Sequence, residues 1–579
     1  MNFSVWAPTA KSVELLWSEQ RIPLQKREGG YWQAEVTGAR AGDRYRYSVD
    51  GGQPLPDPRS RWQPDGVHGS SALVDAQELR NLHASGFRAR PLREAVIYEL
   101  HVGTFTPEGT YQAAQQKLAH LVGLGVTHVE LLPVASFPGR HGWGYDGVDW
   151  YAPQPAYGTP QELARFVAAC QSHGLAVLLD VVYNHLGPDG NYLGAFAPYF
   201  TDRVKTPWGS AINFDDHDSD GVRRFVMDNA LMWLEDYGFD GLRLDAVHAI
   251  FSFEAVHVLE DLASAVRELS VKLNKDLVLI AESDLNDPRL VQPAARGGYG
   301  LSAHWSDDYH HAIHRFFTGE GGGYYADFNG LKDIATALRS GYVYQGQYSA
   351  YRRRRHGRAP KGVNSDQLVV FSQNHDQVGN RAQGERLSML LRPAQLKAIA
   401  ALILLSPFVP LLFQGEEWGA KTPFMYFTDH ENPELARMVT EGRTREFKAF
   451  SWQGEVPNPQ AGQSFMGSKL NWAELDEAGH AELLAWYRRV IGLRHEMLDH
   501  LSKRRAQVAF NEASRWLRFG VGDLLVLLNA GEEPRRVSLP TGNWGLVLSS
   551  AADDVDVGKE TPGWGVRVFR RGGHGASST

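Results

Sequence analysis

Eight short apolar runs recur through the middle of the chain, and four of them turn polar at the carboxyl end. Stretches with helical periodicity separate most of these runs, for example residues 160–173 and 221–237. Strands that alternate with helices predict βα units and a parallel sheet, and eight units favour a closed (β/α)8 TIM barrel of the α/β class. The predicted strands are residues 95–102, 129–134, 176–180, 241–245, 277–282, 302–305, 368–372 and 409–413.

Both ends of the chain have a different pattern, in which apolar and polar residues alternate with period two. In residues 1–90, short segments separated by Gly and Pro turns predict an N-terminal β-sandwich domain. Strand-like segments in residues 500–572 predict a C-terminal β-sandwich domain. The barrel then covers residues 91–490, with an insertion near residues 186–220, because a long stretch rich in Gly, Pro and Asp follows the third strand.

Charge and cysteine content narrow the possible partners. The 579-residue chain has a net charge of −8, so it has no basic excess with which to neutralise nucleic acid phosphates. No signal-peptide pattern follows Met1 and no apolar run is long enough to span a bilayer, so no membrane partner is expected. The single cysteine, Cys170, fits a reducing cytosol. We therefore expect a cytoplasmic protein, and a monomer or a weak homodimer.

Aromatic residues in loops suggest a carbohydrate ligand. Exposed rings suit the apolar faces of sugars, whereas a single loop ring more often packs the loop onto the body of a protein. The set as a whole favours sugar binding, although any one member favours packing. The rings in Gly- and Pro-rich loops are Trp143, Tyr145, Trp150, Tyr151, Tyr157, Tyr192, Trp208, Trp305 and Tyr309.

Three acids would meet at one end of the predicted barrel. Asp245, Glu282 and Asp376 stand at the ends of strands four, five and seven, and the carboxyl ends of barrel strands form the active-site face. Cleavage of a glycosidic bond needs one carboxylic acid and one carboxylate. Arg243, two residues before Asp245, would share its cavity and keep it ionised. Burial and nearby acids should raise the pKa of Glu282, as an acid catalyst requires.

Other polar residues of these segments have more than one reading. Asp376 could grip sugar hydroxyls, and His185 and His375 could donate to them as neutral side chains. Asp180 could equally be structural and hold Arg243 in place. Clusters of Asp, Asn and His also occur at divalent-metal sites, but a metal explains neither Arg243 nor the aromatic loops.

Residues 178–185, 241–246, 279–284 and 371–376 resemble, in order and spacing, the four signature regions of the α-amylase superfamily, glycoside hydrolase family 13. The resemblance implies that Asp245 is the nucleophile, Glu282 the general acid/base and Asp376 the third acid. It also implies net retention at the anomeric carbon, with the first two carboxyl groups about 5 Å apart. The positions that match the family's residues around the sugar at the cleavage site are Tyr145, Asp180, His185, Arg243 and His375.

More specific segments resemble the trehalose-releasing hydrolases of that superfamily, namely residues 305–311, 317–320, 413–424, 426–430 and 441–447. This implies hydrolysis of the α-1,4 bond that joins a maltooligosyl chain to a terminal trehalose, so the expected partners are maltooligosyltrehalose and related α-glucans. Five residues lie in the polar loops at strands six and eight, and this position suggests that they select trehalose. They are Asp308, His310, His311, Glu417 and Trp418.

One departure from the superfamily concerns metal binding. Many α-amylases carry a His four residues after the nucleophile, beside a structural calcium site, and here that position is Ala249. We therefore predict no required metal and no cofactor. Three alternatives stay open: a glycogen branching enzyme that transfers α-1,4 glucan to α-1,6 positions, a debranching enzyme of the isoamylase type, and a non-catalytic polysaccharide-binding protein.

Overall fold

The computed structural model describes residues 1–449, 456–498, 505–551 and 560–572, with side chains of residues 446–449 left out. Part of the predicted boundary near residue 500, residues 499–504, lies outside these described residues. In the described parts of the chain, no helix is both long enough and apolar enough to cross a membrane.

Eight parallel strands close into a barrel in which neighbours in sequence are neighbours in space, and this confirms the predicted fold class. Strand β8 pairs with β1 through Leu411 and Ile97, which closes the ring. The barrel strands are β1 (Ile97–Leu100), β2 (His128–Leu131), β3 (Ala176–Val181), β4 (Gly241–Leu244), β5 (Val278–Ala281), β6 (Ala303–Trp305), β7 (Leu368–Phe371) and β8 (Val409–Phe413).

The interior of the barrel has an apolar layer beneath a charged one. Ile97, Leu178 and Ile280 belong to one buried apolar cluster inside the ring. Because side chains two residues apart on a strand share a face, the next inward positions on β1 and β3 are Glu99 and Asp180, and the one after β5 is Glu282. Along each inward face the residues change from apolar to charged, so the charged groups lie at the carboxyl ends of the strands.

Helices alternate with the barrel strands and surround them. Residues 160–172 show why one of them begins where it does: Thr159 and Glu162 form a capping box, and Pro160 occupies the first turn, where its missing N–H is not needed. The α-helices are Ala76–Arg80, Val102–Phe105, Tyr111–Gln115, Leu118–Leu124, Pro160–Ser172, Ser219–Glu235, Val258–Leu273, Asp307–Thr318, Gly330–Ser340, His375–Gly379, Leu387–Leu390, Pro393–Leu404, Pro433–Ala449, Gly462–Met466 and Ala478–Glu496.

The N-terminal β-sandwich has a three-stranded and a four-stranded antiparallel sheet. The short strands Gln20–Pro23, Gln25–Lys26 and Ser71–Ala72 lack the alternating apolar pattern on which the prediction of this domain was based. The seven strands are Asn2–Trp6, Val13–Trp17, Gln20–Pro23, Gln25–Lys26, Tyr31–Glu35, Arg44–Val49 and Ser71–Ala72.

The C-terminal domain is a five-stranded antiparallel sheet with apolar side chains on both faces, which makes it sandwich-like. Leu517 and Val526 join the main core on one face, whereas Leu525 and Phe569 form a separate cluster with Val537 on the other. The strands are Gln507–Asn511, Trp516–Val521, Leu524–Asn529, Trp544–Ser549 and Val566–Arg571.

Short pairs of antiparallel strands lie in the loops that follow the barrel strands. One of them, Phe200–Thr206 with Gly209–Ile212, lies in the long segment after β3, and its turn carries Trp208. The other pairs are Ala135–Ser136 with Asp149–Pro153, and Gln345–Ser349 with Arg354–Gly357.

Candidate active site

A cavity of about 650 Å³ lies at the carboxyl ends of the barrel strands, and all three predicted acids line it. It is open to solvent on one side and combines acidic, basic and aromatic groups. The lining residues are Trp143, Tyr145, Asp146, His185, Pro207, Trp208, Asp245, Ala246, His248, Glu282, Asp376, Asn380, Tyr426, Val439 and Arg443.

One buried guanidinium joins three of the carboxylates. Arg243 Nη1 donates to Asp180 Oδ2 at 2.6 Å and to Asp245 Oδ1 at 2.8 Å. Its Nη2 lies 3.0 Å from Glu282 Oε2, without the alignment of a hydrogen bond. Burial by itself lowers the pKa of Arg243, but the charges of Asp180 and Glu282 outweigh it and raise the pKa. Asp245 and Glu282 therefore face one cation in one cavity.

Glu282 also accepts a backbone hydrogen bond at the cavity wall. Ala246 N–H donates to Glu282 Oε2 at 2.6 Å, and Ala246 adopts a left-handed conformation with φ of 36°. A non-glycine residue in this region is strained, and such strain persists where surrounding contacts hold it. Burial raises the pKa of Glu282, the charge of Arg243 lowers it, and Asp245 raises it again, so that the net direction is upward. This is the direction that the sequence predicts.

Asp245 is held at both of its oxygens. Arg243 bonds Oδ1, and Asn184 Nδ2 donates to Oδ2 at 2.9 Å. Asp376 is more open: its side chain is 38% exposed, and Asn380 donates to its Oδ1 at 3.3 Å. Asp245 is thus fixed by the protein, whereas Asp376 keeps accessible oxygen for a ligand.

Behind the cavity wall a short chain of hydrogen bonds connects three predicted site residues. Tyr145 Oη donates to Asp180 Oδ2 at 2.6 Å and lies 2.7 Å from His375 Nε2. Burial raises the pKa of Asp180 to about 7. His375 is 1% exposed and lies behind Tyr145, so it does not reach the cavity surface.

The two histidines differ in charge, which corrects one expectation. Burial lowers the pKa of His185 to about 4, so this ring is neutral as predicted. Burial also acts to lower the pKa of His375, but the charges of Glu99 and Asp376 outweigh it and raise the pKa to about 9. His375 is therefore a cation at neutral pH rather than the neutral donor expected from sequence, because its pairing with the buried carboxylate of Glu99 was not anticipated.

Most of the aromatic loop residues are core residues. Trp150, Tyr151, Tyr157, Trp305 and Tyr309 are each at most 3% exposed. Trp143 and Tyr145 line the cavity, and Trp208 is 49% exposed there. The Trp208 ring stacks on His185, with centroids 4.2 Å apart and planes 8° from parallel. The set of rings that face the cavity is therefore smaller than the sequence suggested.

The structure does not bring the strand-six residues to the cavity wall. Asp308 Oδ2 accepts hydrogen bonds from Asn286 and from the backbone of Val343 and Tyr344, at 2.7 to 2.8 Å. His310 bonds Ser372 O and Tyr325 Oη, and His311 packs against Tyr324 with 7% exposure. These side chains hold together the loop and helix that follow β6.

Glu417 and Trp418 also lie away from the cavity, which corrects their assignment to sugar contacts. Both are 0% exposed. Glu417 bonds Tyr98 Oη at 3.1 Å and His120 Nε2 at 2.7 Å, and Trp418 Nε1 donates to Glu474. The sequence placed them in a polar loop, but the chain turns back after β8 and buries them against α-helical neighbours.

Sequence reasoning missed Glu99 and Glu130, two carboxylates on neighbouring strands that are each 1% exposed. A signal existed, since each lies two residues after an inward position in an otherwise apolar strand. It also missed Arg443, which lines the cavity from helix Pro433–Ala449 and stacks on Tyr426 with 4.9 Å to the ring centroid. Residues 441–447 were part of the resemblance, but nothing in that segment singled out Arg443 as a residue of the cavity.

The class of protein is defined by three features: an eight-stranded barrel, three acids around one guanidinium, and an N-terminal β-sandwich. The family model for the alpha amylase catalytic domain matches residues 69–198, and that for carbohydrate-binding module 48, the isoamylase N-terminal domain, matches residues 1–64. The crystal structure of a putative alpha amylase from Salmonella typhimurium is 36% identical, covers 98% of this chain and 97% of its own, and superposes with a TM-score of 0.91.

Full-length relatives define the group within this class. The malto-oligosyltrehalose trehalohydrolase of Rhizobium sp. (strain M-11) is 47% identical over 96% of this chain and 94% of its own length. The enzyme of the same name from Arthrobacter ramosus is 48% identical over 95% of each chain. The chain belongs to the malto-oligosyltrehalose trehalohydrolase family within glycoside hydrolase family 13.

Proposed function

We propose that this chain is a retaining glycoside hydrolase. It cleaves the α-1,4-glucosidic bond next to the terminal trehalose of maltooligosyltrehalose and releases trehalose and a maltooligosaccharide. Family membership supports the choice of substrate, and the geometry around Arg243 supports the type of reaction. The observation that supports it most directly is that Asp245 and Glu282 contact opposite nitrogens of one guanidinium in one cavity. Two carboxyl groups that share one guanidinium fit a double displacement better than a single displacement, which must admit water between them.

Asp245 is the nucleophile of this mechanism. Its oxygens are held by Arg243 and Asn184, which keep the carboxylate oriented toward the cavity. It attacks the anomeric carbon and forms a glycosyl ester while the bond to trehalose breaks. Holding the attacking oxygen in place lowers the entropic part of the barrier.

Glu282 is the general acid and base. With its pKa raised, it retains a proton that it gives to the leaving trehalose oxygen. The resulting carboxylate then takes a proton from water, and the hydroxide hydrolyses the ester on Asp245. Asp376, with its exposed oxygen, binds hydroxyls of the sugar at the cleavage site and opposes the positive charge that develops there.

Three substrates given in parallel test the activity. Maltooligosyltrehalose, maltohexaose and amylopectin are incubated with the enzyme, and the sugars are separated by chromatography. Trehalose release from the first, with little reaction on the other two, is expected. New α-1,6 links without free trehalose would point to a branching enzyme, and debranching of amylopectin to an isoamylase-type enzyme. Binding without turnover of any substrate would point to a non-catalytic polysaccharide-binding protein. Proton NMR of the first product anomer tests retention.

We also infer a cytoplasmic protein that is a monomer or a weak homodimer. The single cysteine, Cys170, is buried, which suits a reducing compartment. Sedimentation velocity across a hundredfold range of protein concentration tests the oligomeric state.

A further inference from the structure

His375 rests on a buried carboxylate from the first barrel strand. Glu99 Oε1 lies 2.6 Å from His375 Nδ1, and Glu99 Oε2 accepts the backbone N–H of the same histidine at 2.9 Å. Both side chains are 1% exposed. One carboxylate thus fixes both the main chain and the ring of His375.

The hydrogen bonds around the ring require a proton on each nitrogen. Nδ1 faces the Glu99 carboxylate, which can only accept. Above the Asp180 pKa of about 7, where this carboxyl is mostly ionised, Nε2 faces Tyr145 Oη, whose single proton is directed to Asp180 Oδ2. Tyr145 Oη therefore accepts from Nε2–H. Both ring nitrogens donate, which is the imidazolium form.

The charges around this ring favour the cation. Glu99 is in direct contact, and Asp376 Oδ1 lies 3.6 Å from Nε2. Arg243 opposes them, yet the pKa of His375, which burial by itself lowers, is raised to about 9. The titratable and charged groups that face His375 are Glu99, His101, Glu130, Tyr145, Asp180, Arg243 and Asp376.

We propose that Glu99 is a positioning residue: it keeps His375 as a buried cation, and this cation holds Tyr145 and Asp376 at the wall of the cavity. The inference rests on the proposed function, since it gives Tyr145 and Asp376 their part in binding the sugar. Glu99 itself touches no substrate. It acts through His375, whose Nε2–H orients the Tyr145 hydroxyl and attracts Asp376.

Glu130 provides a matched control. It is the register partner of Glu99 on β2, equally buried at 1% exposure, and its Oε2 has no hydrogen-bond partner in the described structure. Burial and the charge of Glu99 raise its pKa well above the ordinary value, which favours the neutral acid. Glu130→Gln keeps the size of the side chain and puts a neutral amide in place of the favoured neutral acid.

The first measurement is independent of activity. The enzyme is labelled with ¹⁵N-histidine, and the His375 signals are assigned by their loss in His375→Gln. In the wild type and in Glu130→Gln, the ring should stay an imidazolium up to pH 8. In Glu99→Gln, it should be neutral at that pH but still protonated at pH 5.5, with its pKa lower by about two to three units. A wild-type His375 that is already neutral at pH 7.5 would overturn the proposal even if Glu99→Gln fails to fold.

The second measurement is the ratio of wild-type to variant kcat/KM for trehalose release between pH 5.5 and 8. For Glu99→Gln this ratio should rise at least tenfold with pH. At pH 5.5 His375 is protonated in both enzymes, whereas at pH 8 it is protonated only in the wild type. For Glu130→Gln it should stay flat and within about threefold of one. A Glu99→Gln ratio that does not change with pH would mean that Glu99 acts through packing alone and would sink the inference. A wild type that releases no trehalose would instead refute the proposed function and leave the NMR result to judge Glu99.

Discussion

Two fully buried arginines stand at opposite ends of the barrel. Arg243, at the carboxyl end, is surrounded by Asp180, Asp245 and Glu282. Arg494, near the amino end of β8, donates to the carbonyl oxygens of three residues, namely Leu404 at 2.7 Å, Ser406 at 3.1 Å and Phe408 at 2.6 Å. Both have at most 1% of their surface exposed.

The same side chain therefore serves two purposes. Burial lowers the pKa of Arg494 to about 9, and backbone carbonyls, among them the last of a helix that ends at Leu404, are its hydrogen-bond acceptors. In Arg243, carboxylates outweigh burial and raise the pKa. An arginine with charged hydrogen-bond acceptors at the carboxyl end of the barrel indicates a role in catalysis. An arginine with neutral acceptors at the amino end indicates a role in the stability of the fold.

The largest expected effect comes from removing a carboxylate beside Arg243. Asp245→Ala should lower kcat by about 10⁴-fold or more, because the nucleophile is lost. Its thermal unfolding and maltooligosaccharide binding should remain close to wild type. Asp228→Ala is the control: this acid is 42% exposed and pairs with Arg59, so kcat should be unchanged. Turnover that survives in Asp245→Ala would refute the assignment.

Arg243→Lys should lower kcat/KM by about 10²-fold, which is the effect of losing one preorganised donor. Lysine keeps the positive charge but cannot contact three carboxylates from a planar fork. Steady-state kinetics on maltooligosyltrehalose measure the loss. If the lysine enzyme has wild-type kinetics, the charge alone matters and the geometry does not.

Arg494→Met should produce the opposite result. Three buried carbonyls lose their donor, which should lower the free energy of unfolding by about 3 kcal/mol, while kcat and KM at 25 °C stay near wild type. Differential scanning calorimetry measures the stability of the variant, and kinetics on the same preparation measure its activity. The contrast between the two ends of the barrel fails if Arg494→Met remains folded and loses activity selectively.

The pH profile sharpens the comparison further. The raised pKa of Glu282 means that its acid form persists above pH 4.3, the ordinary value, and that kcat/KM falls as pH rises through the shifted value. Because Arg243 lowers the pKa of Glu282, Arg243→Met should move this alkaline limb to higher pH in whatever activity remains. An alkaline limb near pH 4.3 in the wild type would contradict the acid role of Glu282.

The smallest effect concerns the rim of the cavity. Trp208→Ala removes an exposed ring that stacks on His185, so KM should rise about threefold to tenfold, in line with roughly 0.5–1.5 kcal/mol for an aromatic contact. Phe253 is 71% exposed but does not line the cavity, so Phe253→Ala should leave KM unchanged. Equal effects of the two substitutions would mean that Trp208 does not contribute to substrate binding.

Sequence was sufficient where one strand carries its own signal. The apolar runs located all eight barrel strands, and the acids at their ends located Asp245, Glu282 and Asp376. It failed where the outcome depends on packing between distant segments. The charge of His375 depends on Glu99, which is 276 residues away along the chain. Likewise, the polarity of Glu417 suggested a surface loop, but Tyr98 and His120 satisfy it inside the protein.

The shared guanidinium of Arg243 also determines how charge is distributed during turnover. In the proposed mechanism Asp245 is ionised while Glu282 carries a proton; once the covalent ester forms, Asp245 is neutral and Glu282 is ionised. Apart from Asp180, one negative charge thus remains beside Arg243 in both states and only moves from one nitrogen of the fork to the other. Surrounding dipoles need little reorientation between the two half-reactions, and neither intermediate leaves the buried cation unbalanced.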